Sequence, residues 1–297
     1  MALEAVMDKF YIEQLTIIGV GLIGGSIAAR LKREGAVGKV VGVGRGRKNI
    51  TFAHEHGLID EVAMDVQKGI ERATIVVVAV PVKQVETVLQ EIKLSPNSEL
   101  ILTDVGSTKG DFKRIIERVM PERAGFIVPG HPIAGSEKVG PQFADANLFQ
   151  GKNVVLCPLE RSKATSINLV QRLWESCGSF VSKMSDDKHD KIFSAVSHLP
   201  HIVSYALVEM VNRRDDAEDL FDFAAGGFRD FSRIAGSSPE MWVDICRANH
   251  FPILDDVESF ISSLEKIREL LRSEDYEGLR KIFDAAAIAR NNWSSKQ

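Results

Sequence analysis

Residues 15–34 read as a single strand–turn–helix unit. The apolar run Leu15-Thr-Ile-Ile18 leads into Gly19-Val-Gly21-Leu-Ile-Gly24, and helical spacing continues over Leu22–Glu34. Such a unit belongs to a parallel sheet whose strands are joined by right-handed helical crossovers. The same alternation runs on. Lys39–Val43, Thr74–Val80, Leu100–Asp104 and Gly125–Val128 read as buried strands rich in Val and Ile, while Lys83–Ile92 and Lys109–Val119 have helical spacing. Asn153–Cys157 and Phe180–Ser182 read as two more strands flanking a helix at Ser162–Glu175.

From about Asp186 the pattern is helical throughout. Lys188–Arg213, Glu218–Phe223, Glu240–Ala248, Phe251–Arg272 and Asp275–Asn292 all read as helices, with no strand after Ser182. The expectation is a Rossmann-type α/β domain over residues 1–185 and an all-helical domain over residues 186–297. With 297 residues, 44% of them hydrophobic, the chain can bury cores of that size. Phe223, Phe228 and Phe231 read as part of the helical core.

Composition narrows the setting. A formal net charge of -4 gives no reason to expect a nucleic-acid partner. Cys157, Cys177 and Cys246 are scattered and odd in number, which suits reduced thiols in the cytoplasm better than a disulfide framework or a zinc site. The first 14 residues carry Glu4, Asp8, Lys9 and Glu13, so no signal peptide is expected. No run of about 18 apolar residues exists, so no membrane-spanning helix is expected.

In a doubly wound sheet the carboxyl ends of the strands converge on one crevice. The glycine loop therefore faces the same ligand as two polar clusters that close apolar runs, Asp104-Val-Gly-Ser-Thr-Lys109 and Gly130-His131-Pro132-Ile-Ala-Gly-Ser136-Glu137. Gly-x-Gly-x-x-Gly between a strand and a helix is the dinucleotide context. Gly19 permits the tight turn, Gly21 lets backbone approach a pyrophosphate, and Gly24 allows close helix–strand packing. Leu22 and Ile23, with Val80 at the end of the third strand and Pro81 just after it, complete the expected cofactor contacts.

The end of the second strand bears on which dinucleotide binds. NAD sites place a carboxylate there for the ribose 2′-hydroxyl. This chain reads Val41-Gly-Val-Gly44-Arg45-Gly-Arg47-Lys48, with no carboxylate between Glu34 and Glu55. Guanidinium groups grip a 2′-phosphate through paired charge-assisted bonds. Arg45, Arg47 and Lys48 therefore point to NADP in preference to NAD. The competing reading is a solvated basic turn, with one arginine stacking on adenine whichever cofactor binds.

Together with Gly19–Ser26, these clusters and three segments of the helical half, Ser197-His-Leu-Pro-His201, Gly227-Phe-Arg-Asp-Phe-Ser-Arg233 and Pro239-Glu-Met-Trp242, resemble the prephenate/arogenate dehydrogenase family of tyrosine biosynthesis. The resemblance spans about residues 13 to 290. It implies a Rossmann domain followed by a helical dimerisation domain, a homodimer, and oxidative decarboxylation of a cyclohexadienol by a nicotinamide cofactor. Such chemistry needs a hydride acceptor, a base and a carboxylate anchor, and no metal.

His131 suits the base, because imidazole titrates near neutral pH. By resemblance, Ser107 either orients His131 or bonds the substrate hydroxyl; by position, Ser107 or Thr108 could instead cap the helix beginning near Lys109, and both readings hold if Ser107 faces the ligand and Thr108 caps. By resemblance also, His201 contacts substrate, His198 is a structural donor, and Arg233 binds a substrate carboxylate. Asp230 and Glu137 then help order the pocket's ionic network, and Ser136 binds substrate. Trp242 lines the pocket by resemblance; by spacing alone it is core packing. His54, His56, His189 and His250 fit no constellation. A hydroxyacid or imine reductase on a similar plan, or a dinucleotide-sensing protein without chemistry, stays open as an alternative.

Overall fold

The computed structural model describes residues 10–135 and 138–294. Two compact units result, one ending at His250 and one beginning at Phe251. In the first, β1 (Ile12–Ile18), α1 (Leu22–Arg33), β2 (Val37–Val43), α2 (Arg47–Glu55), β3 (Glu61–Ala63), α3 (Val66–Ile70), β4 (Ile75–Val78), α4 (Val82–Lys93), β5 (Ile101–Asp104) and α5 (Gly110–Val119) alternate as expected. The short α2, α3 and β3 add to the sequence reading. All pairings are parallel, in the order β3-β2-β1-β4-β5.

Strand periodicity decides which core each side chain enters. Leu15, Ile17, Val40, Ile75 and Val77 point to one face, where they meet Ile27, Ala28 and Leu31 of α1. Ile18, Val41, Val43, Val76 and Val78 point to the other, against Val85, Leu89 and Ile92 of α4 and Phe112 and Ile116 of α5. Burial at this level makes each large aliphatic side chain worth about 2–5 kcal/mol against truncation to alanine.

Gly125–Val128 is not a strand of this sheet. Residues Pro121–Phe126 form a 3-10 turn, and Ile127 makes only an isolated bridge to Leu102. The strand that follows, β6 (Gly130–Pro132), belongs to a separate three-stranded sheet with β7 (Asn153–Leu156) and β8 (Phe180–Lys183). β6 runs antiparallel to β7, and α6 (Ala164–Ser176) carries the parallel crossover to β8. His131 is thus held within a strand, opposite Val155, rather than in a loop beyond one.

The expected single helix over Lys188–Arg213 is divided. α7 (Asp186–Phe193) ends in a π-turn over Ser194–His198, and α8 (Leu199–Asn212) follows. Pro200 lacks the N–H that a continuous ladder requires, and Leu199 N–H reaches back to Ser194 C=O. α9 (Ala217–Asp222), α10 (Gly226–Ser232) and α11 (Pro239–Ala248) complete the first unit. The aromatic residues expected in the core here are not all covered: Phe223 is 89% and Phe231 43% exposed, and Phe228 is half-buried.

The second unit holds α12 (His250–Arg272) from Phe251 onward and α13 (Tyr276–Ser294). Asp275 Oδ1 accepts the Gly278 N–H at 2.8 Å and fixes the entry to α13. Among the described residues, no helix is long and apolar enough to cross a membrane.

Candidate active site

Register brings the cofactor-side residues to one edge. Val43, Ile18, Val78 and Asp104 form a row across the sheet, so the segments that follow them emerge side by side. Gly19 has φ +98, and a Cβ there would lie 2.5 Å from the Ala79 carbonyl oxygen. At Gly24 a Cβ would lie 2.6 Å from the Gly19 carbonyl oxygen and 2.7 Å from Ile17 Cγ2. At Gly21, which opens α1, a Cβ would meet nothing within 4 Å. The turn is therefore closed on its protein side and open above Gly21. Helix α1 has no side-chain cap and no acid in its first turn, leaving the N–H groups of Leu22 and Ile23 available to a pyrophosphate. These residues fit a dinucleotide.

Beyond β2, Arg45 Nη2 donates to Gln84 Oε1 at 2.6 Å. Arg47 and Lys48 are exposed and begin α2, which likewise lacks a side-chain cap and a first-turn acid. Val80 and Pro81 follow β4, with Val80 beside Gly19 and Pro81 leading into α4.

The two polar clusters are physically interlocked. Asp104 Oδ1 accepts the Gly130 N–H at 3.0 Å, and Oδ2 accepts the Gly106 N–H at 2.8 Å and Lys109 Nζ at 2.5 Å. Lys109 Nζ also donates to the Gly130 carbonyl at 2.7 Å. A lysine with 0% exposure survives because each of these acceptors compensates its desolvation. The backbone just before His131 is thereby held at both its donor and its acceptor.

Thr108 does not cap α5. Asp190 does so from 81 residues away: its Oδ1 accepts the Lys109 N–H and its Oδ2 the Gly110 N–H, each at 2.8 Å. A carboxylate at that position satisfies two orphan donors and the positive helix end together. These bonds, with His189, hold the Asp190 carboxyl below its usual range despite burial.

His131 Nδ1 lies 2.8 Å from His189 Nε2, and His189 Nδ1 lies 2.8 Å from Asp190 Oδ1. His189, which fits no constellation in the sequence, is fully buried and is the side chain that meets His131 Nδ1. Ser107 itself is half-buried in the loop between β5 and α5. Burial above all, reinforced by His189, Lys109 and His198, holds the His131 imidazole well below its ordinary value. Burial lowers His189 as well. Phe193 packs edge-on to His131 at 4.8 Å between ring centroids.

On the helical side, His201 stacks on Trp242 at 3.7 Å, and Trp242 is buried as the core reading expects. His201 Nδ1 donates to the Ser197 carbonyl at 2.9 Å, which leaves Nε2 to accept. Burial lowers its pKa, and Arg233 lowers it further, which puts these two residues in electrostatic reach of each other. Asp230 is exposed on α10, and Arg233 follows that helix. Asn249 Nδ2 donates to His198 Nδ1 at 3.0 Å and to the Asp190 carbonyl at 2.9 Å, tying the π-turn to α7. Ser136 and Glu137 lie outside the described residues.

His189 and Asp190 are the pair that sequence reading missed. A signal was present: two adjacent ionisable residues on the buried stripe that Phe193 continues one turn later along α7.

The chain matches the family description "Prephenate dehydrogenase, nucleotide-binding domain" over residues 27–183 and "Prephenate dehydrogenase, dimerization domain" over residues 185–285. It is 36% identical to the prephenate dehydrogenase of Bacillus subtilis over 96% of this chain and 77% of that one. It is 32% identical to the cyclohexadienyl dehydrogenase of Zymomonas mobilis over 94% of this chain and 95% of that one. The crystal structure of A. aeolicus prephenate dehydrogenase, in complex with hydroxyphenyl propionate and NAD+, superposes with a TM-score of 0.88 at 35% identity, covering 95% of this chain and 98% of that one. The chain is a member of the prephenate dehydrogenase family and an NAD(P)-linked oxidoreductase.

Proposed function

We propose that this chain oxidatively decarboxylates prephenate, with arogenate second, and passes the hydride to NADP in preference to NAD. The observation that carries this reading is His131: a base held neutral beside the same sheet edge as an open glycine turn. Bound NADP supplies the hydride acceptor. As the ring C4–H bond breaks, His131 Nε2 takes the hydroxyl proton and the C4–O bond becomes a carbonyl. The bond to the ring carboxylate then breaks, carbon dioxide leaves, and its electron pair runs through the dienone to the carbonyl oxygen, giving an aromatic phenolate that recovers a proton from His131. Ser107 bonds the substrate hydroxyl. His201 Nε2 and Arg233 hold the side-chain end, with Arg233 on a carboxylate, and Trp242 keeps His201 in place. Asp230 and Glu137 help order the pocket's ionic network, and Ser136 is a further substrate-binding residue.

Preference for NADP is supported by the start of α2. Two cations at a helix amino end oppose the helix dipole by roughly 0.3–1 kcal/mol each, a cost that a bound 2′-phosphate reverses. The A. aeolicus relative was crystallised with NAD+, so the basic turn, not the family, carries this preference.

Residues 1–185 then serve the cofactor and residues 186–297 the substrate and dimer contact, a division supported by the two family matches. A homodimer is supported by the second of these and by α12 and α13, where Ile261, Leu264, Leu271, Phe283, Ile288 and Trp293 are exposed. Three free, scattered thiols support a cytoplasmic setting.

The test is reduced-nicotinamide absorbance with each pairing of NADP or NAD and prephenate or arogenate. The reading expects the highest kcat/KM for NADP with prephenate. No turnover with either substrate would overturn it.

A further inference from the structure

We propose that the Asp190–His189 pair locks His131 into the tautomer with a proton on Nδ1 and a lone pair on Nε2. The inference rests on His131 being the base, and it adds what makes that imidazole able to accept a proton.

The argument is a count of donors and acceptors along three side chains. Asp190 takes backbone N–H groups on both oxygens, from Lys109 and Gly110, so its carboxylate is an acceptor on every side the structure engages. His189 Nδ1, facing Asp190 Oδ1, must therefore donate. A neutral imidazole carries one N–H, so His189 Nε2 is bare and accepts. His131 Nδ1, 2.8 Å from that nitrogen, must then donate, and its own Nε2 is left bare. With the opposite order, Nε2–H would point at the substrate hydroxyl and could take nothing from it.

The surroundings keep this order in place. His189 has 0% exposure, so water does not compete for its nitrogens. Asp190 is anchored to the first turn of α5 and, through its carbonyl, to Asn249. The other charged or titratable groups that act on the pair are Lys109 before α5, Asp104 at the end of β5 and His198 in the π-turn. Burial above all, then His189, Lys109 and His198, opposes a positive charge on His131, so the ring is neutral at neutral pH and the question of its tautomer is well posed.

His189→Asn and His189→Gln separate positioning from packing. Asparagine can reach Asp190 from the Nδ1 position but leaves His131 without an acceptor. Glutamine places an amide oxygen where Nε2 was. The expected result is a loss in kcat of about 10²-fold or more for His189→Asn, and of no more than about tenfold for His189→Gln, with KM changed less than about threefold in both. Equal losses, or losses confined to KM, would overturn the proposal.

Imidazole nitrogen NMR of the histidine-labelled full chain gives a readout independent of activity, with the His131 signals assigned by their absence in His131→Gln. The proposal expects Nδ1 protonated and Nε2 bare in the wild-type protein, and the reverse pattern would overturn it. Absence of turnover by the wild-type chain would end the functional reading while leaving the tautomer to be decided by the spectrum.

Discussion

Lys109 Nζ donates to the carbonyl oxygen of Gly130 at 2.7 Å and so couples the helix α5 entry to the residue before the base. Its partner on the other side is Asp104, and both side chains are withdrawn from water. Removing one member of such a pair strands a buried charge, at a cost of roughly 3–5 kcal/mol. Lys109→Met should lower the denaturant midpoint accordingly, measured by circular dichroism. A change under about 1 kcal/mol would show that Asp104 finds another partner there or simply protonates.

Acid should act on activity and stability in the same direction. His131 must be neutral to accept a proton, and its value is depressed in the folded chain. The acid limb of kcat/KM should therefore have its midpoint below 6.5, the ordinary imidazole value. For stability, the unfolded chain binds more protons at His131 and His189 once pH drops beneath 6.5, because both are lowered in the folded state. Stability should fall from there until the folded-state values are reached. Urea midpoints at neutral pH and about two units lower check this; a higher midpoint in acid would contradict it.

Arg45 tests cofactor choice. Arg45→Asp replaces a cation held by Gln84 with a carboxylate that repels a 2′-phosphate and accepts a 2′-hydroxyl. The ratio of kcat/KM for NADP over NAD should fall by about 10²-fold, equivalent to about 2.7 kcal/mol. An unchanged ratio would leave Arg45 as a solvated turn residue.

Arg233 tests the carboxylate anchor. A clamp present equally before and during reaction stabilises the ground state as much as the transition state, so it does not raise kcat. Arg233→Ala should raise KM by about 10–100-fold with kcat within about threefold. A selective loss of kcat would move Arg233 from binding to chemistry.

What could be read in the sequence was what local rules determine. Gly19 and Gly24 each carry a backbone or packing requirement set within one strand–turn–helix unit, and the geometry meets both, while the space above Gly21 is open. Interactions closed by tertiary packing were not readable. Thr108 was a reasonable cap by position, yet Asp190 reaches the same N–H groups from α7. His189 meets His131 only because α7 packs on β6, across 58 residues of sequence. Ile127 and Val128 have strand-forming side chains, but the chain bridges the main sheet at one point and then turns to pair with β7. Phe223 and Phe231 are apolar as a core demands, and hydrophobicity alone does not say whether the covering surface lies in the same chain.

The proton acceptor is tested most directly by kcat for His131→Asn with prephenate and NADP. Asparagine retains an N–H for His189 and has no group able to take the hydroxyl proton. The expected loss is about 10²–10⁴-fold in kcat with KM little changed. Turnover at the wild-type rate would contradict the assignment of His131 as the base.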